Sequence, residues 1–332
     1  MSNIEARLSE LGISYATDAR VSSTLLESRA KLVVSPDSTQ LADLLPLLND
    51  EELPYTPLGS GSNSLLTGTE TAPLETVIVD MKNLRNVRVD DQSDQIVTEA
   101  GIKISTISGL SAKHGLTGLE FARDIPGTTA GAIATDAGHP IQNYAKLFAM
   151  EEIDFSRFPK DIRTVLRSVE VVSANGETRD MTVEDLQMGN RTSILVQPDN
   201  TWFMLRANFQ LSQGDQTLID KTREVVCLGR KDMRCRNKDL NPHSVGRTLG
   251  FSFVLNHSNY NGASANQLIA TAGSIPDKLM MDGMYHSKLT PNIICNTGSG
   301  TADAYLEIAD TIQEAVAKDH GIEMPLEVRV IN

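Results

Sequence analysis

The sequence lacks an excess of basic residues, and this excludes several classes of partner. Its 332 residues include 30 Lys and Arg against 43 Asp and Glu, a formal net charge of -13 at pH 7. No run of Lys and Arg offsets that charge locally. Because nucleic acids and anionic membranes bind basic patches, neither is expected as a partner.

Paired cysteines are also missing. Cys227, Cys235 and Cys295 are an odd number and contain no C-x-x-C pair. Neither a disulfide framework nor a common zinc spacing can be built from them, so no metal site is expected. A reducing cytoplasm is the compartment that this cysteine usage favours.

Long apolar runs are absent as well. Glu5, Arg7 and Glu10 interrupt the N-terminal segment where a secretory signal needs an apolar core, and no 18-residue apolar run follows. The expectation is a cytoplasmic protein without membrane insertion. The sequence leaves the oligomeric state open, with a monomer as the favoured state.

Short strand-like and helix-like patterns alternate, without an internal repeat, and predict an α+β or α/β enzyme. The predicted strands are 31–34, 77–80, 87–89, 95–98, 168–173, 202–211 and 326–331. The predicted helices are 38–48, 217–228, 264–272 and 301–319, together with one that Ser105 caps and Gly115 ends. The chain becomes mostly helical after about residue 213, which is where we place the domain boundary.

A glycine-rich loop lies between two apolar segments. It consists of Leu58, Gly59, Ser60, Gly61, Ser62, Asn63 and Ser64. Glycines let the backbone approach an anion, and successive N–H groups and hydroxyls can donate to phosphate oxygens. The alternative is an ordinary surface turn, which uses the same residue types. The loop is neither a G-x-G-x-x-G nor a Walker A motif.

A second stretch is rich in small residues. It runs through Gly118-Leu119-Glu120, Ile125-Pro126-Gly127-Thr128-Thr129-Ala130-Gly131-Ala132 and Asp136-Ala137-Gly138. Such a run indicates backbone packed closely against something flat or against another backbone. A flavin is one candidate, and a tight helix or strand crossing is the other.

Together the two stretches resemble the MurB family of UDP-N-acetylenolpyruvoylglucosamine reductases. The first matches the LGxGSN motif, and the second matches GLE…IPGTxGGA up to Ala132, with Ala130 where the family often has glycine. The resemblance implies noncovalent FAD in an α+β, PCMH-type domain of two subdomains. The implied cofactor-binding residues are Leu58, Gly59, Ser60, Gly61, Ser62, Asn63, Ser64, Ile125, Pro126, Gly127, Thr128, Gly131, Ala132, Ala137 and Gly138.

The similarity continues downstream in order. Residues 189–193 resemble GYRxS, 252–256 resemble SFFKN, 287–296 resemble SxxHxNFxVN, and 324–331 resemble LEPEVRxI. The resemblance implies that Arg191, Ser252 and Glu327 are catalytic and that Asn256 binds substrate. It also implies an FAD-binding domain at 20–212, a smaller α+β substrate domain at 213–325 and a terminal strand, 326–332, that brings Glu327 to the flavin.

The family reaction uses NADPH and FAD to reduce the enolpyruvyl group of a UDP-linked sugar to UDP-N-acetylmuramate in peptidoglycan synthesis. Arg191 would stabilise the enolate. Glu327 would orient the substrate carboxyl or share a proton with it, and Ser252 would protonate the enolate carbon. Taken singly, each has an ordinary alternative: an ion-pair arginine, a solvated glutamate and a turn serine.

The sequence departs from the family mainly where substrate recognition is expected. Asn190, Leu255 and Thr290 replace a tyrosine, a lysine and a histidine, and segment 148–162 is longer than the family's connection. Loss of a lysine beside a diphosphate removes a charge-assisted hydrogen bond. Two alternatives therefore stay open: a reductase of another enol-ether or α,β-unsaturated carboxylate, and a flavin-free binding or regulatory module.

Overall fold

The chain folds into two compact units in a computed structural model that describes residues 2–139, 141, 154–155, 158–197, 199–239 and 247–332. Unit 1 comprises Met1–Ala16, Val33–Ser60 and Val77–Asp232, and unit 2 comprises Thr17–Leu32, Gly61–Thr76 and Met233–Asn332. The domain limits 20–212, 213–325 and 326–332 stay predictions. Most of segment 148–162 lies outside the described residues.

The described α-helices are α1 (Ser2–Glu10), α2 (Leu41–Asp50), α3 (Ile104–Lys113), α4 (Thr129–Ala134), α5 (Gln216–Asp239), α6 (Ala265–Thr271) and α7 (Ala302–His320). The first nine strands are β1 (Ser14–Ser22), β2 (Glu27–Ser35), β3 (Tyr55–Leu58), β4 (Ser64–Leu66), β5 (Val77–Asp80), β6 (Val87–Asp90), β7 (Gln95–Glu99), β8 (Leu116–Thr117) and β9 (Leu166–Ser173). The others are β10 (Thr178–Met181), β11 (Trp202–Gln210), β12 (Ser212–Gln213), β13 (Arg247–Thr248), β14 (Met280–Met281), β15 (Met284–His286), β16 (Ile294–Asn296) and β17 (Arg329–Ile331).

Unit 1 contains a five-stranded antiparallel sheet in the order β10-β9-β11-β7-β6. Buried and more exposed residues alternate from Gln95 to Thr98 in β7 and from Leu205 to Gln210 in β11, as expected for a sheet with one face on a core. Helix α2 buries its leucines although Pro46 lies inside it. The four leucines on the predicted face, Leu41, Leu44, Leu45 and Leu48, are all fully buried.

Parallel strands position the glycine-rich loop. In unit 1, β5 pairs in parallel with β3, with Leu58 opposite Asp80, and also with the Val33–Val34 part of β2. The first three residues of β5 are buried. The loop begins at the carboxyl end of β3, beside this buried strand, and the carboxyl ends of parallel strands are a common place for ligand-binding residues.

Unit 2 packs α6 and α7 with a four-stranded antiparallel sheet in the order β13-β16-β15-β14. Thr301 caps α7 through its hydroxyl, and Gly321 ends the helix with φ +67. One face of α7 enters the core of unit 2. Its buried members include Tyr305, Ile308, Ala309, Ile312 and Val316.

Most predicted elements are confirmed with shifted ends, and the fold class is α+β. Helix α3, however, begins at Ile104 and not under a Ser105 cap, because extended Lys103 bridges to Thr128 and leads directly into the helix. The terminal strand covers only Arg329–Ile331, where it pairs in parallel with β4. The Glu327 backbone has other hydrogen-bond partners, which are described below.

No helix in the described part of the chain combines the length and apolar character that crossing a bilayer requires.

Candidate functional site

In unit 1, the two predicted cofactor-binding stretches lie against each other. A Cβ on Gly59 would meet Thr128 Oγ1 at 2.5 Å, so only glycine fits at this position without a shift. Among the described residues, the N–H groups of Gly59 and Ser60 have no hydrogen-bond acceptor. These donors remain available for a ligand such as a phosphate.

The small-residue stretch is held in place by backbone hydrogen bonds. Gly127 has φ +107, and Thr128 Oγ1 accepts from the Gly131 N–H at 3.3 Å to cap α4. Ala137 is buried and exchanges bonds with Ala132 and Ile162. Gly138 lies so close to Lys160 that a Cβ would meet its carbonyl oxygen at 2.5 Å. The stretch is therefore closely packed against other backbone in unit 1, and its contact with a flavin stays a prediction.

Arg191 lies beside the end of that stretch, also in unit 1. It has φ +60, a left-handed conformation that is uncommon outside glycine, and its Nη1 lies 3.4 Å from the Asp136 carbonyl oxygen. Ser193 anchors the same loop by donating to the Ala134 carbonyl at 2.7 Å. Strained backbone of this kind is often found at functional sites.

Asp136 gives the Arg191 region a buried carboxylate. Burial raises the pKa of Asp136, and nearby Asp161 raises it further, while Arg163 and Arg191 lower it. Arg163 Nε lies 3.3 Å from Asp136 Oδ2. The carboxylate and the arginines thus form one electrostatic cluster around the Arg191 loop.

In unit 2, the rest of the glycine-rich loop is joined to the C-terminal segment. Gly61 has φ +61, and a Cβ there would meet Ser23 Cα at 2.7 Å. Asn63 Nδ2 donates to the Glu327 carbonyl at 2.9 Å, and the Arg329 N–H donates to the Asn63 carbonyl at 3.0 Å. The amide of Asn63 therefore fixes the backbone of Glu327.

The same unit brings Ser252 next to Glu327. The Glu327 N–H donates to the Ser252 carbonyl at 2.9 Å, and Ser252 is only 1% exposed. Asn292 supports this arrangement: its carbonyl accepts from the Ser252 N–H, and its side chain bonds both the N–H and the carbonyl of Phe253. Backbone hydrogen bonds thus assemble Asn63, Ser252 and Glu327 in unit 2.

Two buried tyrosines belong to this cluster. Tyr305 donates from its hydroxyl to Ser252 Oγ at 2.9 Å. Burial, with a smaller effect of the Glu327 carboxylate, raises the pKa of Tyr260 to about 12. Both phenols therefore keep their protons at neutral pH.

The remaining predicted position, Asn256, is exposed in unit 2. Two departures from the family pattern, Leu255 and Thr290, are partly buried in the same unit, and Asn190 is exposed in unit 1. The role of Asn256 in binding stays a prediction.

Sequence reasoning missed three residues of the unit 2 cluster, Tyr260, Asn292 and Tyr305. Asn292 lies inside the recognised 287–296 stretch, so its motif position was an available signal. Tyr305 looked like one more apolar residue of a helical face. Its hydroxyl partner lies 53 residues away in sequence, beyond any local pattern.

The arrangement fits an FAD phosphate on two structural grounds. Gly59 forms a backbone cradle that a Cβ would fill, and the N–H groups of Gly59 and Ser60 make no bond to a described residue. Both are properties of nucleotide-phosphate loops. The residues that would hold the group in unit 1 are therefore Gly59, Ser60 and Thr128.

Comparison with known proteins decides the family. A model described as an FAD binding domain matches residues 30–150, and one described as the C-terminal domain of UDP-N-acetylenolpyruvoylglucosamine reductase matches residues 241–331. The chain belongs to the MurB family. The resemblance predicted from the motifs is thereby confirmed, together with the FAD-binding domain.

MurB relatives match along most of this chain. The reductase of Caldanaerobacter subterraneus subsp. tengcongensis is 28% identical over 300 residues, 90% of this chain and 86% of the relative. That of Geobacillus thermodenitrificans is 27% identical over 304 residues, 91% and 87% of the two chains. The MurB crystal structure from Thermus caldophilus, 22% identical, covers 96% of this chain and 99% of its own with a TM-score of 0.65, and supports the fold.

Proposed function

We propose that the protein is an FAD-dependent reductase that uses NADPH to reduce the enolpyruvyl group of UDP-N-acetylenolpyruvoylglucosamine, giving UDP-N-acetylmuramate for peptidoglycan synthesis. The relatives bear the name of this reductase. The observation that carries the proposal is the hydrogen bond from the Glu327 N–H to the Ser252 carbonyl at 2.9 Å. It places two family-matched residues side by side in one unit.

FAD, when bound, supplies the hydride that NADPH provides, and the chain manages the charge and the proton. Ser252 is buried, so its O–H is shielded from competing water. A positioned hydroxyl can protonate an enolate carbon because that carbon is a strong base. Glu327, which lies next to Ser252 in unit 2, orients the substrate carboxyl.

Arg191 stabilises the negative charge that accumulates on the substrate carboxylate. The guanidinium offers paired N–H donors in a fixed geometry, which suits an enolate better than a lysine would. The Arg191 loop is anchored by the Ser193 bond to the Ala134 carbonyl at 2.7 Å. An anchored loop keeps the donors in place before charge develops.

The test uses the purified full chain. We expect a flavin absorption spectrum that NADPH bleaches without oxygen, and that the UDP-linked enolpyruvyl sugar restores with formation of one UDP-N-acetylmuramate per flavin. Reduction by NADPH followed by no reoxidation with this sugar would refute the proposal. A correctly folded protein that binds no flavin would support the flavin-free module instead.

A second candidate function is supported by the departures from the family pattern. Leu255, in unit 2, carries no charge where the family has a lysine that would contact a diphosphate. The candidate is reduction of another enol-ether or α,β-unsaturated carboxylate. Thermal protection by UDP-GlcNAc separates the two, because a ligand stabilises only a fold that binds it. Protection supports the UDP-sugar substrate, and its absence at saturation supports the second candidate.

A further inference from the structure

Tyr305 is a buried residue of α7 whose hydroxyl contacts the serine of the proposed site. Its Oη lies 2.9 Å from Ser252 Oγ. Tyr305 and Ser252 are each only 1% exposed, so bulk water does not compete for the bond. The bond is therefore a fixed feature of unit 2.

Tyr305 is the donor in this bond. Burial raises the pKa of Tyr305 above its ordinary value, although the bond to Ser252 lowers it in part. A phenol that keeps its proton has one hydrogen to donate, and Tyr305 donates it to Ser252 Oγ. The proton of Ser252 must then point to a different acceptor.

We propose that Tyr305 is a positioning residue for Ser252: its O–H directs the serine proton toward the substrate and stabilises the charge left on Oγ when that proton leaves. This inference rests on the proposed function. In the step concerned, the Ser252 O–H bond breaks, a C–H bond forms at the enolate carbon, and the electron pair of the broken bond stays on Oγ. One proton taken up from the solvent returns to Oγ after the product leaves, which balances the step, and Tyr305 keeps its own proton throughout.

The hydrogen bond from Tyr305 to Ser252 becomes stronger when the serine gives up its proton, and this change favours the reaction. A hydrogen bond to an ionised oxygen is roughly twice as strong as one between neutral groups. The Tyr305 donor therefore stabilises the serine after proton transfer more than before it. Such a difference lowers the barrier and raises kcat, and it leaves substrate affinity nearly unchanged.

The first experiment compares Tyr305→Phe with Tyr285→Phe. Tyr285 is also a buried tyrosine of unit 2, and the hydrogen bond to Ser252 Oγ comes from Tyr305. We expect Tyr305→Phe to lower kcat by about tenfold to a hundredfold with KM changed less than about twofold, since the interaction forms fully only in the transition state. Tyr285→Phe should stay within about twofold of the parent protein.

Coupling to Ser252 separates positioning from general packing. In the Ser252→Ala background, Tyr305→Phe should change kcat by less than about twofold, because its acceptor is gone. The midpoint of thermal unfolding should show the same non-additivity without any substrate. Tyr305→Phe that lowers kcat equally in both backgrounds would overturn the proposal.

A rescue experiment covers the case in which Tyr305→Phe folds poorly. Fluorotyrosine incorporated only at position 305 keeps the O–H and should hold kcat within about threefold of the parent protein. Loss of activity with fluorotyrosine equal to that of phenylalanine would contradict the proposal.

The outcomes distinguish this inference from the proposed function. If the parent protein does not turn over the UDP-linked sugar, the proposed function fails and this inference fails with it. If the parent protein turns over and Ser252→Ala is impaired, but Tyr305→Phe is as active as the parent, this inference alone fails.

Discussion

The candidate functional residues of the two units are of opposite kinds. In unit 1, Gly59 matters for the side chain it lacks, because Thr128 occupies the space that a Cβ would need. In unit 2, Ser252, Tyr305 and Glu327 matter for polar groups that buried hydrogen bonds hold in place.

The difference indicates a division of labour. A close-packed glycine loop with uncommitted N–H groups suits a phosphate, which every catalytic cycle leaves unchanged. A cluster of buried, hydrogen-bonded polar side chains suits the handling of protons and charge. Changes at Gly59 should therefore alter flavin retention, and changes at Ser252 or Glu327 should alter the reductive chemistry.

The largest expected effect comes from Glu327 in unit 2. Glu327→Gln keeps the shape and removes the charge and proton-sharing capacity, so kcat should fall about 10²–10⁴-fold. Exposed Glu323, in the same C-terminal segment, provides the matched control as Glu323→Gln. Steady-state kinetics with the UDP-linked sugar give kcat for both variants. Equal activity of the two variants would show that Glu327 has no catalytic role.

The next largest effect is expected from Asn292, whose hydrogen bonds hold the backbone next to Ser252. Asn292→Ala removes two side-chain hydrogen bonds to the Phe253 backbone in a fully buried position. Leaving those groups unpaired should cost about 2–3 kcal/mol of unfolding free energy, measured by denaturant titration. The exposed Asn259 side chain also makes two bonds, to the Glu323 carbonyl and to His257 Nδ1, but water can replace both, so Asn259→Ala should cost clearly less. A cost no larger than the control would show that Asn292 does not fix this loop.

A smaller effect is expected from the glycine loop in unit 1. Gly59→Ala places a methyl group 2.5 Å from Thr128 Oγ1, whereas in the control variant Gly109→Ala, in α3 of unit 1, the nearest contact is an ordinary 3.8 Å. Gly59→Ala should cost about 1–3 kcal/mol and release flavin, as overpacking does. The two variants are compared by the flavin that each retains after gel filtration and by the midpoint of its thermal unfolding. Full flavin retention in Gly59→Ala would mean that the close approach to Thr128 is dispensable.

The smallest effect concerns Tyr260 in unit 2. Its pKa is raised from 10.0 to about 12. The unfolded chain loses this proton near pH 10 and the folded chain keeps it, so the unfolding free energy falls as the pH rises between these values, by up to about 1.4 kcal/mol per pH unit. Tyr260→Phe should lack this part of the alkaline decline. If the unfolding free energy of the two proteins falls with pH along parallel curves, the raised pKa of Tyr260 is contradicted.

The sequence predicted the parts of the site that depend on local patterns. The loop from Leu58 and the amphipathic helix ended by Gly321 follow from turn chemistry and the 3.6-residue period. The Tyr305–Ser252 bond and the Asn292 clamp join residues 53 and 39 positions apart. Only the tertiary fold brings such pairs together, so periodicity could not indicate them. The terminal strand was predicted too long because the Glu327 backbone bonds Ser252 and Asn63 instead of continuing the strand.

The central claim is that the Gly59 loop of unit 1 retains the flavin, whereas Ser252 and Glu327 of unit 2 act in the reductive chemistry. The most direct measurement is stopped-flow absorbance of the two half-reactions, without oxygen, in the Glu327→Gln protein. The claim predicts normal flavin content and normal reduction by NADPH, with reoxidation by the UDP-linked enolpyruvyl sugar slowed by about two orders of magnitude or more. Reoxidation at the parent rate, or loss of the flavin itself, would contradict it.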